Sequence, residues 1–208
     1  MIALSSIRTI SASRWIKLIG GLACFGLGSA FMKKANLGLS PWDVLNDGLA
    51  QRTGEQLGTA SIIIGVLVLL LWIPMRERPG IGTVANTFLV GIFINLCLPM
   101  ISSPELFIVR SLWTSLGVAL VGCGSALYLG SQLGAGPRDG LMLGLHRRSG
   151  WSLRLTRTTL EVVVLIVGYF LGGRVGLGTL AYAFTIGPVM QWFMRVLHQN
   201  VITRPVEV

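Results

Sequence analysis

At 208 residues, with 52% apolar side chains, 12% charged ones and 27 glycines, the sequence lacks the make-up of a water-soluble domain of its size. Its 17 Lys and Arg against 8 Asp and Glu give a net charge of +9. The basic residues gather at the ends of apolar stretches, where they set membrane orientation, so the charge argues for a lipid bilayer and against nucleic acid as partner. Cys24, Cys97 and Cys123 show no CxxC spacing and only His146 and His198 offer imidazoles, so neither a disulfide framework nor a metal centre is expected, and no cofactor.

In chain order, the first apolar stretch, Trp15 to Met32, follows Arg8 and Arg14 and has the look of a cleavable signal peptide. Its GLGSA (Gly26 to Ala30) returns as GCGSA (Gly122 to Ala126), which assigns it instead to the folded body. A Leu-Gly-x break then precedes a short helix predicted over Pro41 to Arg52, 12 residues long. At 1.5 Å per residue such a helix covers about 18 Å of a hydrocarbon core of about 30 Å, so it is read as a half-helix that does not cross. Apolar stretches of spanning length follow at Leu57 to Met75 and Ile81 to Met100. SSPE interrupts the pattern between Ile101 and Arg110, and the series begins again with Leu112 to Leu133. A second short helix opens at Gly136-Pro137, and two more apolar stretches, Leu155 to Gly173 and Leu177 to Met194, complete six expected crossings.

Sliding the chain against itself by 96 positions aligns Gly28 to Gly91 with Gly124 to Gly187 without a gap, with 23 identities in 64 positions. The matches include Pro41 with Pro137, Asp43 with Asp139, and Gly80, Gly82 and Thr83 with Gly176, Gly178 and Thr179. Duplicated units of this kind build many transporter folds. The expected architecture is an all-α polytopic membrane helix bundle, a single membrane domain over 1–208. It comprises two tandem repeats, about 15–100 and 111–197, each of three transmembrane helices plus one short broken helix. Three crossings per half insert the second repeat upside down relative to the first, with both termini cytoplasmic; the positive-inside rule hardly separates this from a parallel arrangement, and the shortness of the broken helix decides.

Ser40 before Pro41, with Asp43 three positions after Ser40, has the grammar of a helix start: an N-cap hydroxyl, proline in the first turn, and an acid at the positive end of the dipole. Gly136, Pro137 and Asp139 hold those places in the second copy. A helix that begins at membrane depth leaves N–H groups that lipid cannot satisfy, so two such ends facing each other create a polar pocket. The expected substrate-binding set is therefore Asn36, Ser40, Pro41, Asp43 and Asp47 from the first copy and Gln132, Gly136, Pro137, Arg138 and Asp139 from the second. The plainer alternative, that Asp43 and Asp139 merely cap their own helices at the membrane surface, stands beside it. Trp42 in the first copy becomes Arg138 in the second, and a pseudo-two-fold axis lets Arg138 approach Asp43 as a paired or anion-binding site. Glu161, a carboxylate on the shoulder of a spanning helix, joins the set as a proton-coupling group; its alternative is a same-face ion pair with Arg157. Gly136, Gly140 and Gly144, every fourth residue, read as a smooth packing face.

The residues ANLGLSPWDVL, PGIGT, LGAGPRDGLM and GLGTL resemble those of the YczE family of bacterial integral membrane proteins, which is distantly similar to YitT-type proteins. The resemblance runs from about Trp15 to Leu197 and implies a multi-pass protein of the bacterial inner membrane; it supplies no substrate. With no P-loop, the leading expectation is a secondary transporter of a small solute or ion, with room for a homodimer. The alternative is a non-transporting accessory or scaffold protein assisting a partner or a biosynthetic pathway. An enzyme is not expected: HExxH, GxSxG and Ser-His or Cys-His groupings at suggestive spacing are missing.

Overall fold

A computed structural model describes residues 11–198, and all its regular structure is helical. Eight helices follow in order: α1 (Ala12–Ala35), α2 (Pro41–Thr53), α3 (Leu57–Met75), α4 (Ile81–Cys97), α5 (Phe107–Gly130), α6 (Pro137–Ser149), α7 (Leu153–Phe170) and α8 (Leu177–Val196). A 3₁₀ turn, Leu98–Met100, extends α4. The expected cytoplasmic tails, residues 1–10 and 199–208, lie outside the described residues. Among the described residues, four helices are long and apolar enough to cross a membrane: α1, α3, α4 with its 3₁₀ turn, and α5. The chain is thus a helical membrane protein. The other two stretches expected to cross became α7 and α8, of 18 and 20 residues. They fall outside those four; α7 carries Arg154, Arg157 and Glu161 in its first half. The two short helices have 13 residues each, and both start at the proline.

The core is an α1–α5 crossing in which the helices run antiparallel and touch backbone to backbone. A methyl added at Gly21 meets Gly124 O at 2.8 Å, and one added at Gly28 meets Gly117 O at 2.6 Å. Only glycine permits that approach, and with no hydrophobic effect between helices in lipid, close van der Waals contact is what holds such a seam. Its ends are clamped by two arginines 96 residues apart. Arg14 Nε donates to Ser131 O at 2.7 Å and Arg14 Nη2 to Gln132 O at 2.6 Å, at the end of α5. Arg110 Nε donates to Ala35 O at 2.7 Å and Arg110 Nη2 to Asn36 O, at the end of α1. Each guanidinium thereby satisfies carbonyls that a helix C-terminus leaves open.

Other contacts come in pairs of the same kind. Gly26 of α1 admits Phe93 of α4, with 2.6 Å from its would-be Cβ; at the positions 96 higher, Gly122 of α5 admits Val189 of α8, again 2.6 Å away. Short helix α2 packs on α7, and α6 on α3. In the first of these Gly168 lies against the backbone of Leu45, at 2.5 Å from its would-be Cβ to Leu45 N. In the second, Trp72 fills the space over Gly140 and donates Nε1–H to Pro137 O at 3.1 Å. Gly144 lies against Met75, so the Gly140 and Gly144 face is a packing face. One pairing is broken. α3 and α4 meet through Gly58 and Gly91, whereas the corresponding α7 and α8 hardly touch and Gly187 has open space where Gly91 has a neighbour. Arg154 stands where Gly58 does, and Glu161 where Gly65 does, and neither side chain lets a helix approach as glycine would.

Candidate functional site

Both short helices follow a left-handed break. Asn36 (φ 52°) and Gly38 (φ 119°) turn the chain out of α1, and Gln132 (φ 54°) and Gly134 (φ 129°) turn it out of α5. Glycine accepts such dihedrals without the Cβ penalty that other residues meet. Each break is then pinned by the first turn of a distant helix. Gly82 N–H donates to Leu133 O at 2.8 Å, and Gly178 N–H donates to Leu37 O at 2.7 Å. This explains the repeated Gly-x-Gly-Thr: its glycines let the break lie against them, and Thr83 Oγ1 adds a bond to Ala135 O at 2.6 Å.

At the start of α2, Ser40 is the N-cap and its Oγ accepts from Asp43 N–H at 3.2 Å. The Asp43 carboxylate is 1% exposed. It accepts from Ser40 Oγ at 2.8 Å, Ser29 Oγ at 3.0 Å and Asn46 Nδ2 at 3.1 Å. The approach expected across the two copies is present: Arg138 Nη2 lies 3.8 Å from Asp43 Oδ1. The same guanidinium stacks over the Trp42 ring, 5.0 Å from its centroid. A weakly hydrated, planar cation suits both roles at once.

The start of α6 is barer. Gly136 is its N-cap and brings no side chain. Asp139, in the first turn, accepts from the Tyr128 hydroxyl. In front of Arg138 and Asp139 lies a cavity of about 320 Å³, of a size for a small organic molecule. Arg138 and Asp139 line it from α6, Arg157 and Glu161 from α7, and Tyr182 from α8. Ser61, Asn86, Ser125 and Tyr128 complete its polar wall, and Phe25 and Trp42 its aromatic one. The slight α7–α8 contact leaves room for this space.

Of the expected binding residues, Gly136, Pro137, Arg138, Asp139 and Glu161 line the cavity, with Asp43 joined to it through Arg138. Ser40 and Pro41 are buried behind and serve the start of α2. Asn36, Asp47 and Gln132 are elsewhere. Asp47, 1% exposed, pairs with Lys33 and accepts from Gln51 Nε2 at 3.1 Å and Arg174 N–H at 3.2 Å, beside a second, more open hollow. Asn36 accepts from Arg174 Nη1 at 2.8 Å. Gln132 is an exposed residue whose backbone carbonyl Arg14 holds. None of the three lines the cavity: Asn36 and Gln132 form the left-handed bends, and Asp47, inside α2, holds the link between α7 and α8 at Arg174. Glu161 makes the alternative contact, accepting from Arg157 Nε at 2.9 Å, and does so on the cavity wall. Reasoning from sequence passed over Tyr128, Tyr182 and Ser125, each inside an apolar stretch; Ser125 alone carried a signal, as the repeat partner of Ser29.

Comparison with known proteins adds membership without mechanism. A family of unknown function, DUF6198, matches residues 12–195. An uncharacterised protein of Haemophilus influenzae is 38% identical over 180 residues, which cover 86% of this chain and 83% of the relative. The uncharacterised membrane protein YczE of Bacillus subtilis is 36% identical over 185 residues, covering 86% and 84%. A second B. subtilis protein, the uncharacterised YyaS, is 26% identical over 188 residues, covering 88% and 94%. No solved structure matches.

Proposed function

The chain belongs to the DUF6198 family, among YczE-like membrane proteins, and from that premise we propose that it is a secondary transporter of a small solute or ion in the bacterial inner membrane. The observation that carries the reading is the 320 Å³ cavity, largely apolar but set with charged side chains, walled by the start of one short helix and joined through Arg138–Asp43 to the start of the other. Paired short helices meeting at a polar site are how many secondary carriers hold substrate midway through the bilayer. We further take the two halves to be inverted repeats of three crossings each. The antiparallel α1–α5 seam and the reciprocal Arg14 and Arg110 clamps support this, since positions 96 apart exchange roles across it. Carriage without catalysis is the corresponding role. A scaffold that only assists a partner has no need of an internal hollow set with charged side chains, and the cavity weighs against it.

The test is flux. Protein reconstituted into sealed liposomes is expected to take up at least one member of a panel of labelled amino acids, organic acids, amines and monovalent cations, saturably. Arg138→Ala is expected to lower that uptake at least tenfold. Silence across the panel in tight vesicles, with correctly folded protein, would sink the proposal.

A further inference from the structure

Asp43 and Asp139 occupy the same position in the two copies, yet their surroundings have parted. Asp43 has four side-chain partners: Ser29, Ser40, Asn46 and Arg138. At the positions 96 residues away, Ser40 becomes Gly136, Asn46 becomes Met142 and Arg138 becomes Trp42, so three of the four have no counterpart. The fourth counterpart is Ser125, in place of Ser29. It is only 8% exposed and lines the cavity, and among the described residues its hydroxyl makes no hydrogen bond. Asp139 keeps one partner, the Tyr128 hydroxyl.

The charges around the cavity leave Asp139 over. Arg138 faces Asp43, and Arg157 is bonded to Glu161 at 2.9 Å. Asp139 has no ion pair within 4.0 Å among the described residues. It lies in the first turn of α6, where the positive end of the helix dipole favours the ionised carboxylate. An ionised acid without an ion-pair partner in a membrane interior is costly, and a cation that enters the cavity would balance it. A divalent ion asks for more oxygens and charge than one carboxylate gives. The described residues hold no group of three or more His, Cys, Asp or Glu suited to a metal.

We propose that Asp139, with the unengaged Ser125 hydroxyl and the Tyr128 oxygen, binds a monovalent cation drawn from the cavity. The cation is either a coupling ion such as Na⁺ or the ammonium head of a small organic solute; the nearby Phe25, Trp42 and Tyr182 rings suit the latter. Its use in transport rests on the reading above; the binding does not.

The experiment uses the full chain purified in detergent at pH 8, at constant ionic strength with N-methylglucamine chloride as background. Thermal unfolding is followed as NaCl, LiCl, KCl or tetramethylammonium chloride replaces the background salt. At least one of these is expected to raise the Tm saturably by about 3 °C or more. The effect is expected to vanish in Asp139→Asn and to require at least threefold more cation in Ser125→Ala. A response to Na⁺ or Li⁺ identifies a coupling ion, and one to tetramethylammonium alone identifies a solute head group. If no cation stabilises the parent, or if Asp139→Asn responds as the parent does, the assignment is overturned. Should Asp139→Asn fail to fold, the Ser125→Ala comparison decides. Cation binding without flux keeps this assignment and sinks transport; flux untouched by Asp139→Asn does the reverse.

Discussion

Arg138 stacks on Trp42 at 5.0 Å, and these two residues occupy the same position in the repeated segment. Two arginines at these positions would repel; an indole in one of them holds the guanidinium by its face and leaves its edge for Asp43. Removing Arg138 leaves a carboxylate that is 1% exposed with its hydrogen bonds but without its ion-pair partner. Arg138→Ala is therefore expected to lower stability by about 3 kcal/mol, read as a drop in Tm. Exchanging the two residues, Asp43→Arg with Arg138→Asp, is expected to recover part of the loss; a double variant no better than either single one would refute the pairing.

The glycine seam makes a prediction within two consecutive residues. Gly20 has nothing within 4 Å of a would-be Cβ, whereas one at Gly21 meets Tyr128 N at 2.6 Å. Gly20→Ala is expected to be neutral or to stabilise by up to about 1 kcal/mol through helix propensity. Gly21→Ala is expected to destabilise by about 1–3 kcal/mol through overpacking. Equal melting temperatures for the two variants would mean that α1 and α5 do not touch as described.

Much of this was legible because duplication writes itself in the sequence. Ser40-Pro41-x-Asp43 announced a helix start, and α2 and α6 begin at Pro41 and Pro137. The difference between Trp42 and Arg138 pointed across to Asp43. A pocket between the helix starts was expected, but not its place in front of α6 alone, which depends on α7 and α8 separating where α3 and α4 meet. The cause is local, Arg154 for Gly58 and Glu161 for Gly65, yet its effect is tertiary: a gap between helices has no period and no motif. Asn36, Asp47 and Gln132 drew attention for their polarity, but backbone bends and partners, which sequence does not give, tie Asn36 and Gln132 to the breaks and Asp47 to Lys33 and the α7–α8 link.

Glu161 shares the cavity wall with Arg157, but their pair is partly open, with side chains 27% and 42% exposed. Glu161→Gln is expected to change stability by less than about 0.5 kcal/mol. Denaturation by heat checks this, and a loss several times larger would show that the acid holds more than its helix neighbour.

The proposed inversion of the halves would put the far ends of α2 and α6 on opposite sides of the membrane. With Cys24, Cys97 and Cys123 replaced by alanine, Glu55→Cys is expected to react with a membrane-impermeant thiol reagent added outside intact cells. Ser149→Cys is expected to react only after permeabilisation. Labelling of both from one side would make the halves parallel.

The reciprocal arginine clamps bear on how the molecule is made. The carbonyls that end α1 are held by Arg110, a residue that leaves the ribosome some 75 positions after them. Until then the leading half sits in the bilayer with bare oxygens, so a chain truncated at the seam is expected to be short-lived. Synthesis of the trailing half is what closes both copies together.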